Sequence, residues 1–350
     1  MSQLRQALVP QTPWRVLQDV LLLGGIALIG LLVLRPAIGL TILWNILIPV
    51  APALLVIVPG IWRNICPLAT FSLLPRRFGL SRQKIPPRPV AVALGLLSVA
   101  LLLLLVPLRH IALNTSGPLS ALMLSLAALL AVITGRAFDW RSGWCTSLCP
   151  IHPVEKLYGF APAVTVANAR CDSCVNCTVP CPDWTRAMTP IRTAPTRLAR
   201  WVGDGLTGCF VGLTWGWYQV PDLSPGSDVV AAWLWPLGSA AVSLALYLAL
   251  KHWFFPSRAA RARLVKAFAA AAVTTYYWYR LPALLGFGLA AGNGTLVNLT
   301  ALLPFWAPYV LRALTTTFLL WFLLARRAVH ASWMQRPPPA VALIAAPRSS

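Results

Sequence analysis

Long apolar runs limit the possible folds of this chain more than any other feature of the sequence. Four of them cover residues 16–34, 37–58, 90–108 and 229–250, and each reaches the roughly 18 residues that a helix needs to cross the hydrocarbon core of a membrane. Hydrophobic residues make up 58% of the chain and charged residues only 11%, whereas roughly a quarter of the residues in soluble domains are charged. A single soluble core is therefore excluded. We predict an all-α polytopic membrane protein with about eight transmembrane helices.

The basic residues predict how these helices cross the membrane. The formal net charge is +21, and Lys and Arg collect at the N-terminus, in residues 60–89, 135–205 and 251–270, and after Ala325. Segments rich in Lys and Arg stay on the cytoplasmic side of a bacterial membrane. We therefore expect a multi-pass protein of the bacterial inner (plasma) membrane with both termini in the cytoplasm. Topology explains the net charge, so nucleic acid is not an expected partner.

This topology divides the chain into four parts. Residues 1–134 hold transmembrane helices 1–4 and a cytoplasmic Cys-Pro loop at 60–89. Residues 135–205 form a small cytoplasmic insert, and residues 206–328 hold transmembrane helices 5–8. Residues 329–350, which are rich in proline, are predicted to be a disordered cytoplasmic tail.

The insert contains the most specific motif of the chain. Cys171, Cys174, Cys177 and Cys181 follow the spacing C-x2-C-x2-C-x3-C, and Pro182 comes next, as in bacterial ferredoxins. The reducing cytoplasm disfavours disulfides, and a structural zinc site usually joins two C-x2-C pairs that lie a dozen or more residues apart. The spacing therefore favours a 4Fe-4S cluster over zinc, and it predicts a ferredoxin-like iron-sulfur insert.

The first three cysteines of this ferredoxin run need a fourth ligand from elsewhere, because the fourth cysteine of such a motif binds a different cluster. We choose Cys149, which forms a C-x3-C-P element with Cys145 and Pro150 upstream of the run. Arg170 and Arg186 place positive charge close to the motif, where it would stabilise a reduced cluster.

The remaining cysteines leave the number of clusters open. Cys66, Cys145 and Cys181 would supply three ligands to a second cluster, and the missing ligand would be a water, His152 or another residue. In the simpler interpretation there is one cluster, and Cys66 and Cys145 are free thiols. Cys209 begins an apolar run, and we interpret it as a buried, inert cysteine.

Two Cys-Pro elements indicate an internal repeat. Cys66-Pro67 follows the second predicted transmembrane helix, and Cys149-Pro150 follows the fourth. Apolar residues recur at equal offsets after both, which predicts a short helix lying with its apolar face on the membrane in each copy. These residues are Leu68, Phe71 and Leu74 in the first copy and Ile151, Val154 and Leu157 in the second.

Residues 135–182 resemble a family of polytopic membrane-bound ferredoxin-type proteins, related to the NapH subunit of periplasmic nitrate reduction and the NosR maturation factor of nitrous-oxide reductase. The letters G-R-A-F at 135–138 and G-W-C-T-S-L-C-P at 143–150 are similar to the family's stretch G-R-x-F/Y-C-G-W-x-C-P. Asp139 stands in place of its first cysteine, and Trp62 replaces the leading cysteine of the first C-x3-C-P element. The resemblance implies electron transfer between a quinone or soluble donor and a partner protein.

These features predict an electron carrier or redox-complex subunit more than a self-contained enzyme. The leading expectation is a membrane-anchored 4Fe-4S protein that relays electrons between a cytoplasmic donor, such as a soluble ferredoxin or flavodoxin, and a membrane quinone or partner redox protein. The second is an assembly or maturation factor for a metalloenzyme. A transport scaffold is the third, and the scarcity of charged residues in the apolar runs argues against it.

Two details of the second half of the chain complete the prediction. The aromatic run at 276–280 is typical of an interfacial anchor, so we place the start of helix seven there. Arg312 is the one charge well inside an apolar run. We expect it either to pair with a carbonyl where helices pack or to bind a quinone headgroup.

Overall fold

The computed structural model describes residues 11–139, 141–170, 196–221, 229–288, 294–327 and 333–335. These residues fold almost entirely into helices, which we number in chain order. They are α1 (Gln11–Leu34), α2 (Pro36–Leu40), α3 (Ile48–Ile57), α4 (Pro59–Ile65), α5 (Pro67–Arg77), α6 (Arg88–Leu108), α7 (Gly117–Ala137), α8 (Ile151–Tyr158), α9 (Arg197–Trp217), α10 (Val229–Trp253), α11 (Arg258–Leu284) and α12 (Ala307–Leu320). Adjoining π-helical segments cover Thr41–Leu47, Arg109–Leu113, Arg141–Leu148 and Trp321–Ala325.

Within the described residues, six helical stretches are long and apolar enough to cross a membrane. Many of their large apolar side chains point outward, and Val242 of α10, for example, is 71% exposed. Soluble monomers rarely expose so much apolar surface, whereas a lipid bilayer covers it readily. The prediction of a multi-pass, α-helical membrane protein is therefore confirmed. The stretches are Pro13–Leu34, Pro36–Ile57, Arg88–Leu113, Gly117–Ala137, Val229–Trp253 and Ala307–Ala325.

Two further helices, α9 and α11, are equally long but less apolar, with 21 and 27 residues. Gly208, Gly212 and Gly216 form a stripe along α9 against α10. Ser243 Oγ donates to the Gly208 carbonyl (2.6 Å), and Ser239 Oγ donates to the Gly212 carbonyl (2.7 Å). Small residues at this spacing let two helix backbones approach closely, as they do in membrane helix pairs.

Helix α11 starts earlier than the sequence predicted. It begins at Arg258, and the N-cap residue Ser257 accepts a hydrogen bond from the backbone of the first turn (3.1 Å), as serine commonly does. Residues 276–280 lie in the C-terminal half of the helix, and Tyr276 and Tyr277 are buried in the core. The predicted start of helix seven at 276–280 is therefore wrong.

The main apolar core surrounds the short helix α8. Leu157 and Tyr158 of α8 belong to one buried cluster with Leu55 of α3, Leu206 of α9 and Val273 of α11. Helix α8 thus joins both halves of the chain, because the cluster combines residues from the N-terminal helices with residues from α9 and α11.

A helix does follow each Cys-Pro element, but neither matches the predicted arrangement on the membrane surface. The α8 residues 152–158 are all buried, so α8 lies inside the bundle. In α5 the buried side contains Ala69, Ser72 and Leu73 instead of Leu68, Phe71 and Leu74. It faces α7 so closely that a side chain at Gly135 would overlap the Ser72 carbonyl.

Three residues of the predicted tail 329–350 are ordered against the rest of the protein. The strand β2 (Met334–Gln335) pairs in parallel with β1 (Val166–Ala167). Trp333, just before β2, is buried, and its indole N–H donates to the Gly159 carbonyl. This contact fixes residues 333–335 next to the segment that leads into the ferredoxin run.

Candidate functional site

Three cysteines come together at one end of the bundle. Cys66, Cys145 and Cys149 belong to one apolar cluster with Trp144 and Leu148. Burial raises the pKa of the Cys66 and Cys149 thiols, and the nearby Cys66 and Cys145 raise the pKa of Cys149 further. A raised pKa keeps a thiol protonated, so these cysteines would become thiolates only beside a positive partner.

Cys66 and Cys149 both occupy breaks between helical segments. Cys66 has an extended ψ of 119° between α4 and α5, and Pro67 starts α5 at the position where proline is most favourable. The Cys149 carbonyl accepts a hydrogen bond from Ser98 Oγ in the middle of α6 (2.8 Å). The second Cys-Pro element is therefore fixed to a membrane helix.

Arg170, the residue before the ferredoxin run, reaches back to the first Cys-Pro element. It is only 2% exposed, and its Nη2 donates to the carbonyls of Asn64 (3.1 Å) and Cys66 (3.2 Å) and to Thr70 Oγ1 (3.0 Å). Its charge also opposes, in part, the effect of burial on the pKa of Cys66. Arg170 therefore places positive charge beside Cys66, and its predicted role beside the ferredoxin run stays a prediction.

Asn64 fixes the same segment from the other side. Its Nδ2 donates to the Ala167 carbonyl (2.9 Å), and its Oδ1 accepts from the Ala169 backbone N–H (3.1 Å). Gln18 of α1 donates from its side chain to the Asn64 carbonyl (3.1 Å). Asn64 and Arg170 together hold residues 167–170 against α1 and α4.

The ferredoxin run itself, with Cys171, Cys174, Cys177 and Cys181, lies outside the described residues. Within the part of the chain that the structure describes, no group of three or more His, Cys, Asp or Glu side chains is arranged to hold a metal ion. Cys66, Cys145 and Cys149 therefore do not form a metal site by themselves, and a cluster at this position requires further ligands.

His152, the predicted alternative ligand, belongs to a buried polar group next to Cys149. Its Nδ1 lies 3.1 Å from Glu155 Oε2, which also pairs with Arg63 (3.3 Å). Burial lowers the pKa of His152 to about 4, so the ring is neutral at pH 7. A neutral ring that donates from Nδ1 to a carboxylate leaves Nε2 as its acceptor, which is the usual preparation of a metal-binding histidine.

Three other sequence-predicted residues have clear positions. Asp139, at the place of the family's first cysteine, is buried and pairs with Arg76 (3.7 Å). Cys209 packs against an apolar cluster that contains Leu213, but it is only partly buried, less than its interpretation as a buried cysteine expected. Arg312 Nε donates to the carbonyl of Trp278 (3.1 Å), which confirms the expected pairing with a carbonyl where helices pack.

The chain matches no family model, no curated protein and no solved structure. The resemblance to the NapH and NosR family therefore depends on residues 135–182 alone and stays a prediction.

Proposed function

We propose that this protein is a membrane-embedded 4Fe-4S electron carrier. It relays electrons between a soluble ferredoxin- or flavodoxin-like donor in the cytoplasm and a membrane quinone or partner redox subunit. The observation that carries the proposal is the contact of Arg170 with the Cys66 carbonyl (3.2 Å). Arg170 directly precedes Cys171 in the sequence, so this contact joins the residue before the ferredoxin run to the first Cys-Pro element.

The ligand sets follow the ferredoxin pattern. Cys171, Cys174 and Cys177 would hold one cluster together with Cys149, and Cys181 would serve a second one with Cys66 and Cys145, with His152 as the candidate to complete it. A 4Fe-4S cluster takes up and releases single electrons when bound. The protein's own part would be to position these ligands: Asn64 and Arg170 hold residues 167–170, directly before the run, and the apolar cluster around Trp144 would keep water from Cys66, Cys145 and Cys149.

We also propose that α9 and α11 cross the membrane, which gives about eight spans in a bacterial inner membrane. Their lengths, the close glycine-mediated packing of α9 on α10, and the burial of α11 among apolar helices support this arrangement. The basic residues at the start of α11 then lie on the cytoplasmic side, as do both termini and the cysteine cluster.

Metal analysis of anaerobically purified protein tests the cofactor. We expect about four irons and four sulfides per chain for one cluster, or about eight of each for two, with a matching EPR signal after reduction. Cys174→Ala and Cys149→Ala should lose iron, whereas the control Cys209→Ala, which changes a cysteine in a separate apolar cluster, should keep it. Zinc without sulfide would contradict the proposal.

Electron transfer needs its own measurement. In proteoliposomes with quinone, reduced flavodoxin should be oxidised by the natural protein and not by Cys174→Ala. An iron-loaded protein that shows no such turnover, and whose deletion leaves a partner enzyme without its metal centre, would favour the maturation factor over the relay.

A further inference from the structure

A cavity of about 330 Å³ lies at the end of the bundle opposite the cysteines. Four helical regions meet there: the segment after α6, the C-terminal ends of α9 and α11, and the first half of α12. We call it the arginine cavity, after the residues that define it, which are Arg109, Trp217, Tyr218, Tyr279, Arg280 and Arg312.

Its distance from the cysteines follows from the helices that connect the two ends. Ser98 of α6 contacts Cys149, and Arg109 comes eleven residues later, about 16 Å further along the helix axis. On α11, Lys266 lies over the ring of Phe160, close to α8, and Arg280 is about 21 Å further along. The arginine cavity is thus a separate site.

Two of its guanidinium groups contact only neutral acceptors within the described part of the chain. Arg280, 5% exposed, donates from Nη2 to the Trp44 carbonyl (2.6 Å) and Asn45 Oδ1 (2.8 Å). Arg312 donates to the Trp278 carbonyl. The four carboxylates that the structure describes pair elsewhere, at Arg77, Arg76, Arg63 and Lys251.

Positive charge at such a position is costly. A buried guanidinium loses its hydration, and neutral carbonyls restore only part of it. Arginine binds phosphate and carboxylate groups through pairs of parallel N–H donors. An oxyanion in the cavity would therefore offset the cost of burying Arg280 and would also pair with the half-exposed Arg312.

The walls fit a ligand larger than a single ion. Tyr218 stacks on Tyr279 at 5.1 Å between ring centroids, and Arg109 lies between the rings of Trp44 (5.4 Å) and Trp217 (4.9 Å). The volume equals that of roughly ten water molecules in the liquid. It therefore accepts a phosphate or carboxylate group together with several attached atoms.

We propose that the arginine cavity binds an anionic ligand through a phosphate or carboxylate group, held by Arg280 and Arg312 between aromatic walls. The ligand is either the headgroup of an anionic phospholipid or a small anion that enters from the adjacent aqueous phase. This proposal is independent of the iron-sulfur cofactor, because none of its residues touches the cysteine cluster.

Binding measurements on the full-length protein in neutral detergent test it. The probes are phosphatidylglycerol, zwitterionic phosphatidylcholine and inorganic phosphate, followed by native mass spectrometry and by the thermal unfolding midpoint. Phosphatidylglycerol or phosphate should bind and raise the midpoint, and phosphatidylcholine should not. Arg312→Gln should weaken that binding about tenfold, the loss of one charged hydrogen-bonding group, and Arg280→Gln by at least as much.

The control is Arg261→Gln, which changes an exposed arginine in the opposite half of α11. This variant should bind the anions like the natural protein.

The outcomes separate the two possible ligands. Because Arg280 also joins α11 to Trp44, Arg280→Gln could fail to fold. In that case the test depends on Arg312→Gln, because Arg312 is half-exposed and its replacement disturbs the fold less. Saturation by phosphate identifies a small anion, and binding of phosphatidylglycerol alone identifies a lipid. If neither binds, if Arg312→Gln binds both unchanged, or if only a neutral quinone binds, the proposal is wrong.

Discussion

The two ends of the helix bundle differ in the partners of their buried charges. At the cysteine end, Glu155 is 1% exposed and lies between Arg63 and His152, and Asp139 pairs with Arg76. At the other end, Arg280 and Arg312 contact carbonyls, an amide and aromatic rings. The buried carboxylates among the described residues thus pair with cations at the cysteine end, where Arg170 also bonds to carbonyls, whereas no described carboxylate pairs with Arg280 or Arg312.

The largest expected effect breaks a charge pair at the closed end. Arg63→Gln removes the cation beside Glu155 Oε2 (3.3 Å) and leaves a buried carboxylate with His152. Removing one partner of a buried pair costs about 3–5 kcal/mol of unfolding free energy. Unfolding with an anionic detergent, followed by circular dichroism, measures the loss.

Arg77→Gln is the matched control for this change. Arg77 pairs with Asp19 at 2.8 Å, but the Asp19 side chain is 54% exposed, and such surface pairs contribute about 0–1 kcal/mol. If the two variants lose equal stability, the buried Arg63–Glu155 pair contributes no more to stability than a surface pair, and the contrast between the two ends is wrong.

A smaller effect concerns helix α9, which connects the two ends. A Cβ at Gly212 would lie 2.0 Å from the Ser239 carbonyl oxygen, whereas a Cβ at Gly205 would meet no atom within 4 Å. Gly212→Ala should therefore destabilise the protein by about 1–3 kcal/mol through overpacking. Gly205→Ala should stabilise it by roughly 0.5–1 kcal/mol, since glycine is unfavourable inside a helix.

The same unfolding measurement applied to both variants gives opposite signs if α9 and α10 pack as described. Equal signs would mean that the glycine stripe does not touch α10. The arginine cavity would then lose support as well, because Trp217 and Tyr218 at the C-terminal end of α9 form part of its wall.

Much of the membrane fold could be predicted from the sequence because the bilayer imposes a simple rule of length and apolarity. That rule found the span Pro36–Ile57 within one residue of its limits. It failed for α11, because the first turns of this helix carry Arg258, Arg261 and Arg263 and so interrupt the apolar run that the rule needs. The glycine spacing at 208, 212 and 216 was a readable signal for close packing of α9.

The site was predictable only where its residues are close in sequence. The Cys-Pro elements and Arg170 could be recognised, but the bond from Arg170 to Cys66 joins positions 104 residues apart. The arginine cavity depends on residues from four helical regions, and no local pattern brings Arg109, Arg280 and Arg312 together. Trp333 is held next to a strand of only two residues. Such a strand is too short to show the alternating pattern by which strands are recognised in a sequence.

The smallest expected effect completes the contrast between the two ends. Arg312→Gln, measured without added anion, removes one hydrogen bond to the Trp278 carbonyl (3.1 Å) and leaves no carboxylate without a partner among the described residues. We expect a loss of about 1 kcal/mol or less, against about 3–5 kcal/mol for Arg63→Gln. Adding phosphate or phosphatidylglycerol should then stabilise the natural protein more than Arg312→Gln, since only the natural protein keeps the Arg280 and Arg312 guanidinium groups together. If Arg312→Gln loses as much unfolding free energy without anion as Arg63→Gln does, then Arg312 has a structural role and is not available to bind a ligand.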